Sequence, residues 1–363
     1  MIEFMIQDSE EKEVFDMVVS PYEKLIDRIS IMNELGKGNI SDQVNLERLG
    51  VMAKHLKESI ADLFMETPWL NDTDALDLDR LSQFMMILDE ITIMQDFDEF
   101  DSNLTLWRSV DQFVASKYSE YKKRTTGCIK FDVIHSFETI KNDLGKGIGS
   151  GEDWQLFMRI THGLSYNAFN GFDYNAIVIL APIFYPILWE NTSDTTVLAF
   201  GAILGHEMFH SFIKSNLGNS SHVFTEETEC IVNHFNSSCE VWAESTCKSG
   251  LQTFEEDGPD VEGLRVAYDL LRRRYTQEQV KELEYEDLSI TQEQAFFYSP
   301  GVRFCSASED DADPFDEHSS DKVRLNAGVS MLPQFTAAFE CEKGNEEYSD
   351  EASTCYLFGS QSG

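Results

Sequence analysis

The sequence predicts a mainly α-helical protein with one small β element. Three observations carry that expectation. Apolar residues recur every three to four positions through the N-terminal third, a short pair of β-rich apolar runs lies mid-chain, and a long segment near residue 200 is apolar around its whole circumference. At 363 residues with 42% hydrophobic content, the chain can fill the core of one large or two medium domains.

Residues 1 to about 125 hold helical formers at 3.6-residue spacing, as in Val14, Met17, Val18, Tyr22, Leu25, Ile26 and Ile29 and again in Leu78, Leu81, Phe84, Met85, Leu88 and Ile91. These predict several helices joined by polar turns such as Gly36-Lys37-Gly38-Asn39, with the Trp and Met residues in their core. The character changes near Gly127. Tyr166-Asn167-Ala168-Phe169, the turn signal Asn170-Gly171, and Ala176-Ile177-Val178-Ile179-Leu180 predict two short strands in a hairpin. Such a hairpin is either plain core or an edge to which an extended peptide adds as a further strand.

The segment from about Thr195 to Asn216 predicts a buried helix, capped by Asp194 or Thr195 and ended by Gly218. It contains Gly205-His206-Glu207-Met208-Phe209-His210, an H-E-x-x-H pentapeptide. Four residues turn a helix through roughly 400°, so His206 and His210 share one face a turn apart, where two imidazoles can grip one Zn²⁺. Glu207, one step round, can reach a water beside the metal as general base. Two satisfied core histidines are the competing explanation. Burying two imidazoles and a carboxylate together costs free energy that a shared metal offsets.

A zinc peptidase site wants a third protein ligand. Glu256 and Asp260, four apart, can supply that ligand and its supporting carboxylate from one helical face. Alternatively Thr253-x-x-Glu256 is a capping box, and Pro259 predicts that regular helix starts only near Gly258. Further on, the acidic stretch 309–317 predicts a solvated loop that delivers His318, with Arg324 six residues later.

Charge and cysteine usage bound the partners. A net charge of −37, from 65 acidic and 28 basic residues, repels phosphate backbones and anionic lipid, which disfavours nucleic acid and membrane surfaces. Met1 to Asp8 show no signal-peptide pattern, and the longest apolar run, Ala176 to Ile187, is broken by Pro182 and Pro186, so no membrane segment is expected. Seven cysteines and six sequons, at Asn39, Asn71, Asn103, Asn191, Asn219 and Asn236, point away from the cytosol.

Together these pieces resemble the neprilysin and endothelin-converting enzyme family of zinc endopeptidases. The resemblance runs through Asn167-Ala168-Phe169, Ala176 to Pro186, Gly201 to His210, Glu256 to Leu264, Phe296-Phe297, Cys305, His318-Ser319, Arg324 and Phe339-Glu340-Cys341, with a fainter echo at Trp69. It implies a thermolysin-like (gluzincin) catalytic domain over 126–363, preceded by a helical remnant of the chamber-closing domain over 1–125. It implies one Zn²⁺ per chain held by His206, His210 and Glu256, with Glu207 as base and Asp260 orienting His206. It assigns His318 to the transition state, and Asn167, Ala168 and Arg324 to the substrate's backbone. Short peptides are then the substrates, at the cell surface or outside the cell.

By the same resemblance Cys230 pairs with Cys355, while Cys239 and Cys247 can close a local loop. Family members are roughly twice as long, so the chain resembles their C-terminal half, the rest being absent or supplied by another chain. Two departures stand out. His210-Ser211-Phe212-Ile213 replaces His-Gly-Phe-Asp, and Glu255-Glu256-Asp257-Gly258-Pro259-Asp260 replaces Gly-Glu-Asn-Ile-Ala-Asp. They define the alternative expectation, a catalytically impaired relative acting as a peptide-binding or interaction protein.

Overall fold

A computed structural model describes residues 43–71, 80–93, 167–179, 194–213, 225–242, 247–274, 290–304, 317–345, 348–349 and 354–359. The chain divides into two compact units, one made of 1–46 and 92–185, the other of 47–91 and 186–363. The helix expected over Val14 to Ile29, the turn at Gly36 to Asn39, the acidic stretch up to Asp316, Cys128 and Cys305 lie outside the described residues.

In the first unit, β1 (Thr92–Ile93), β2 (Ala168–Gly171) and β3 (Ala176–Ile179) form a sheet in the order β1-β3-β2. β3 pairs in parallel with β1 and antiparallel with β2. All four residues of β3 are buried, as a continuous apolar run in a central strand requires. The hairpin expected from sequence is present, but its turn is displaced. Asn170 and Gly171 pair with Ile177 and Ala176 inside the ladder, and the reversal is a 3-10 turn over Phe172–Tyr174 closed by Asn175. Asn175 takes up the left-handed conformation, φ 46°, which asparagine tolerates better than most residues. β2 is an edge strand among the described residues.

The second unit is helical: α1 (Gln43–Glu66, beginning in the first unit), α2 (Pro68–Asn71), α3 (Arg80–Glu90), α4 (Asp194–Ile213), α5 (Thr225–Trp242), α6 (Gly250–Arg274), α7 (Gln292–Arg303), α8 (Asp321–Ser330) and α9 (Pro333–Ala338). α4 is its centre. From Ile203 to Ile213 every residue is buried, the outcome its all-round hydrophobicity demands. One end packs on an aromatic cluster. The Phe84 ring stacks on Phe212 at 5.3 Å, Phe64 meets Phe212 edge-on at 4.9 Å, and Phe209 stacks on Phe358 at 5.5 Å.

The segment 354–359 is tied into that cluster. Glu262 accepts the Leu357 and Phe358 N–H groups at 2.6 and 3.3 Å, Trp69 Nε1 donates to the Leu357 carbonyl, and Cys230–Cys355 is a disulfide, as the resemblance implies. Cys239–Cys247 is a second disulfide, closing the local loop. Among the described residues no helix is long and apolar enough to cross a membrane.

One expectation is overturned here. Helix α6 does not begin near Gly258; it runs unbroken from Gly250 with Pro259 inside it. Proline removes one backbone donor, a local loss, whereas this stretch is buried against α4 and the C-terminal segment. The capping-box reading falls with it. Thr253 lies within the helix, and Ser249 caps the first turn by accepting the Leu251 N–H at 3.3 Å.

Candidate metal centre

α4 and α6 cross at two glycines. A Cβ on Gly263 would lie 2.5 Å from the His206 nitrogen and 2.6 Å from the Ala202 carbonyl oxygen, and one on Gly205 would lie 3.0 Å from the Gly263 Cα. With hydrogen atoms there instead, the backbones approach closely and bring the first turns of α6 beside the H-E-x-x-H turn of α4.

The consequence is a cluster of three ligand atoms. His206 Nε2 and His210 Nε2 are 3.0 Å apart, and Glu256 Oε2 lies 3.3 Å from the first and 3.4 Å from the second. Ligands about 2.0–2.1 Å from one tetrahedral zinc are separated by about 3.3–3.4 Å, so the spacings fit that ion. Two imidazoles and a carboxylate are also the donor chemistry zinc takes. All three residues are buried, and without a cation their convergence needs extra protons to be tolerated.

The supports of the two histidines differ. His206 Nδ1 is 2.8 Å from Asp260 Oδ1, which keeps the proton on Nδ1 and leaves the Nε2 lone pair for a metal. His210 Nδ1 is buried without a hydrogen-bond partner among the described residues, and Ile213 stands where a supporting aspartate is expected. Glu207 is buried one step along α4 from His206.

Electrostatics follow from the same contacts. Burial opposes a charge on His206, yet the neighbouring Asp260 and Glu256 outweigh it and raise the imidazole to about 9. Burial likewise opposes ionised Glu256 and Asp260. Hydrogen bonds from His206, His210 and His318 hold Glu256 far below the usual carboxylate range, and Arg324 with His206 does the same for Asp260.

Arg324, on α8 and 7% exposed, forks onto Asp260, with Nε donating to Oδ2 at 2.6 Å and Nη2 to Oδ1 at 2.9 Å. Its guanidinium also faces the Phe304 ring at 5.1 Å. Two of its donors are thus committed to holding the carboxylate that holds His206. His318 joins from the loop before α8, its Nε2 3.1 Å from Glu256 Oε2. Its side chain is 42% exposed against 4–10% for the other members, so it marks the open side of the cluster. Asn167 and Ala168 belong to the sheet unit, where Asn167 Oδ1 accepts the Ala168 N–H at 2.9 Å.

Asp257 is a participant that the sequence reading passed over. It is fully buried and accepts the Thr253 hydroxyl at 2.5 Å and the Ser319 hydroxyl at 3.1 Å on the same oxygen. Burial pushes its carboxyl up to about 8. The i, i+4 spacing of Thr253 and Asp257 is visible in sequence, but the contact to Ser319 spans 62 positions and is not.

The family model described as Peptidase family M13 matches residues 167–355, more than half of the chain. The chain belongs to Peptidase family M13. Its M13 relatives include Neprilysin-3 of Drosophila melanogaster, 27% identical over 46% of this chain, and an endothelin-converting enzyme homolog of Locusta migratoria, 28% identical over 41%. These matches cover 23% and 22% of those relatives, so the chain spans about a quarter of the length of the curated relatives it matches. Among solved structures, PEPO from Lactobacillus rhamnosis has a TM-score of 0.59 at 17% identity, covering 95% of this chain and 50% of that one. The zinc metalloprotease ZMP1 of Mycobacterium tuberculosis has 0.56 at 15% identity, covering 88% and 48%. At these identities the likeness is one of fold, and it agrees with the mainly helical zinc-peptidase architecture expected from sequence.

Proposed function

We propose that the chain is a zinc-dependent endopeptidase that hydrolyses internal bonds of short peptides, with one Zn²⁺ held by His206, His210 and Glu256. The observation that carries the reading is the convergence of their three ligand atoms at 3.0–3.4 Å with Glu207 in the same helical turn. When bound, zinc supplies Lewis-acid polarisation of a carbonyl and lowers the pKa of water.

The remaining work belongs to side chains. Glu207 takes a proton from water as the water oxygen bonds to the scissile carbonyl carbon, then returns it to the leaving nitrogen as the C–N bond breaks. His318, on the open side, donates a hydrogen bond to the oxyanion formed between these steps. Asp260 holds the His206 tautomer and Arg324 holds Asp260. Arg324 is assigned to the peptide backbone through Nη1, its Nε and Nη2 being held by Asp260, and Asn167 and Ala168 are assigned to it separately, at the start of β2, an edge strand among the described residues.

Among the described residues His210 Nδ1 has no hydrogen-bond partner, and that has a cost. Loss of a partner behind a ligating histidine typically weakens metal affinity or activity by about 10 to 100-fold. Activity is therefore expected at raised zinc concentration. The two disulfides support an extracellular or cell-surface site of action.

The test is cleavage of an internally quenched short peptide by zinc-loaded protein. A chelator should abolish it, and Glu207→Gln should retain zinc while losing activity by about 10² to 10⁴-fold. Undiminished cleavage by Glu207→Gln, or none by the zinc-loaded wild type, sinks the proposal.

A further inference from the structure

His318 is the least enclosed member of the cluster, and a half-exposed imidazole on a loop is useful only if its backbone is fixed. That backbone is gripped from two sides. Lys248 Nζ donates to the His318 carbonyl at 2.8 Å. On the next residue, the Ser319 hydroxyl donates to Asp257 Oδ2 at 3.1 Å, the oxygen that Thr253 also reaches.

Both anchors are themselves tied to the frame that carries the metal ligands. Asp257 is the residue after Glu256 on α6. Lys248 sits between Cys247, bonded to Cys239 on α5, and Ser249, which caps α6. The disulfide and the cap thus leave residue 248 little room to move. Glu256 and His318 therefore share one short, doubly braced frame, although 62 positions separate them in sequence.

We propose that Lys248 and Asp257 are positioning residues for His318, setting the imidazole's distance from the metal centre through the backbone of residues 318 and 319. The idea rests on the assignment of His318 to the oxyanion under the proposed function. Lys248 and Asp257 touch neither substrate nor metal. They act by holding the loop, so their loss should lower turnover more than substrate binding, since the hydrogen bond concerned strengthens in the transition state.

Lys248→Met keeps the aliphatic stem and deletes the donor, Lys248→Arg restores a donor, and Ser319→Ala releases the loop from Asp257 without touching α6. Two readouts separate this idea from the function it rests on. In zinc-loaded protein with the quenched peptide, Lys248→Met and Ser319→Ala should each lower kcat by about 10-fold with KM within about 2-fold, zinc content unchanged, and Lys248→Arg should recover most of the loss. In metal-free protein, the carbethoxylation rate of His318 by diethyl pyrocarbonate, followed by peptide-resolved mass spectrometry, should rise about 3-fold or more in the same two variants as the loop opens. If the wild type cleaves no peptide, the proposed function fails and the modification rate alone decides the anchoring. Unchanged His318 reactivity in both variants, or a fall in thermal stability with kcat untouched, overturns it. Should Lys248→Met fail to fold, Ser319→Ala carries the test.

Discussion

Replacing Gly263 with alanine tests the geometric heart of the site. The added Cβ would meet the His206 nitrogen at 2.5 Å and the Ala202 oxygen at 2.6 Å, both backbone atoms that cannot swing aside, where ordinary contact begins at 3.4 Å. α4 and α6 must therefore part by about 0.9 Å, and overpacking of this kind costs about 1–3 kcal/mol. The same movement carries Glu256 away from both histidines. Ligand spacings of 3.0–3.4 Å leave little slack, because zinc ligand distances vary by only about 0.2 Å in working sites. Gly263→Ala should thus lower the unfolding free energy by about 1–3 kcal/mol and weaken zinc binding by about 10-fold or more. Chemical unfolding of metal-free protein and competition against a zinc chelator measure the two separately. Wild-type zinc affinity in a folded Gly263→Ala protein would refute the idea that glycine contact sets the ligand spacing.

Two further outcomes follow from the surroundings of the cluster. Arg324→Met removes both donors from buried Asp260 and should destabilise the protein by about 3–5 kcal/mol in chemical unfolding, a loss below about 1 kcal/mol contradicting the role given to the pair. His234, half-buried on α5 with Nε2 donating to the Ala327 carbonyl of α8 at 3.0 Å, has its pKa lowered by partial desolvation. Below about pH 6.5 the unfolded chain takes up a proton that the native imidazole refuses, so this stabilisation is complete above pH 6.5 and is lost as pH falls through the lower native value. Melting temperatures of wild type and His234→Gln should converge as pH drops from 7.5 to about 5, and a gap independent of pH would count against it.

How much of this was legible in sequence depended on the range of the interaction. α4 could be read because its signal is local and redundant, apolar on every face with two histidines four apart. Glu256 and Asp260 shared a face for the same reason. Pro259 misled because its cost is local while its compensation, burial against α4 and Leu357, comes from residues far along the chain. Asn170-Gly171 misled because a good turn dipeptide was outweighed by strand pairing, and the left-handed residue fell at Asn175 instead. The fork of Arg324 on Asp260, the grip of Lys248 on His318, and the dual acceptor Asp257 join residues 62 to 70 positions apart, and no periodicity encodes them. The sequon at Asn236 had an ordinary surface motif's appearance, yet its amide oxygen accepts the Gly250 N–H at 2.8 Å.

The metal itself is the most direct measurement. Crystals grown with zinc, with anomalous diffraction collected on both sides of the zinc absorption edge, should show one peak per chain about 2.0–2.2 Å from His206 Nε2, His210 Nε2 and a Glu256 oxygen. No zinc peak there, or a zinc ion held by other side chains, would contradict the account.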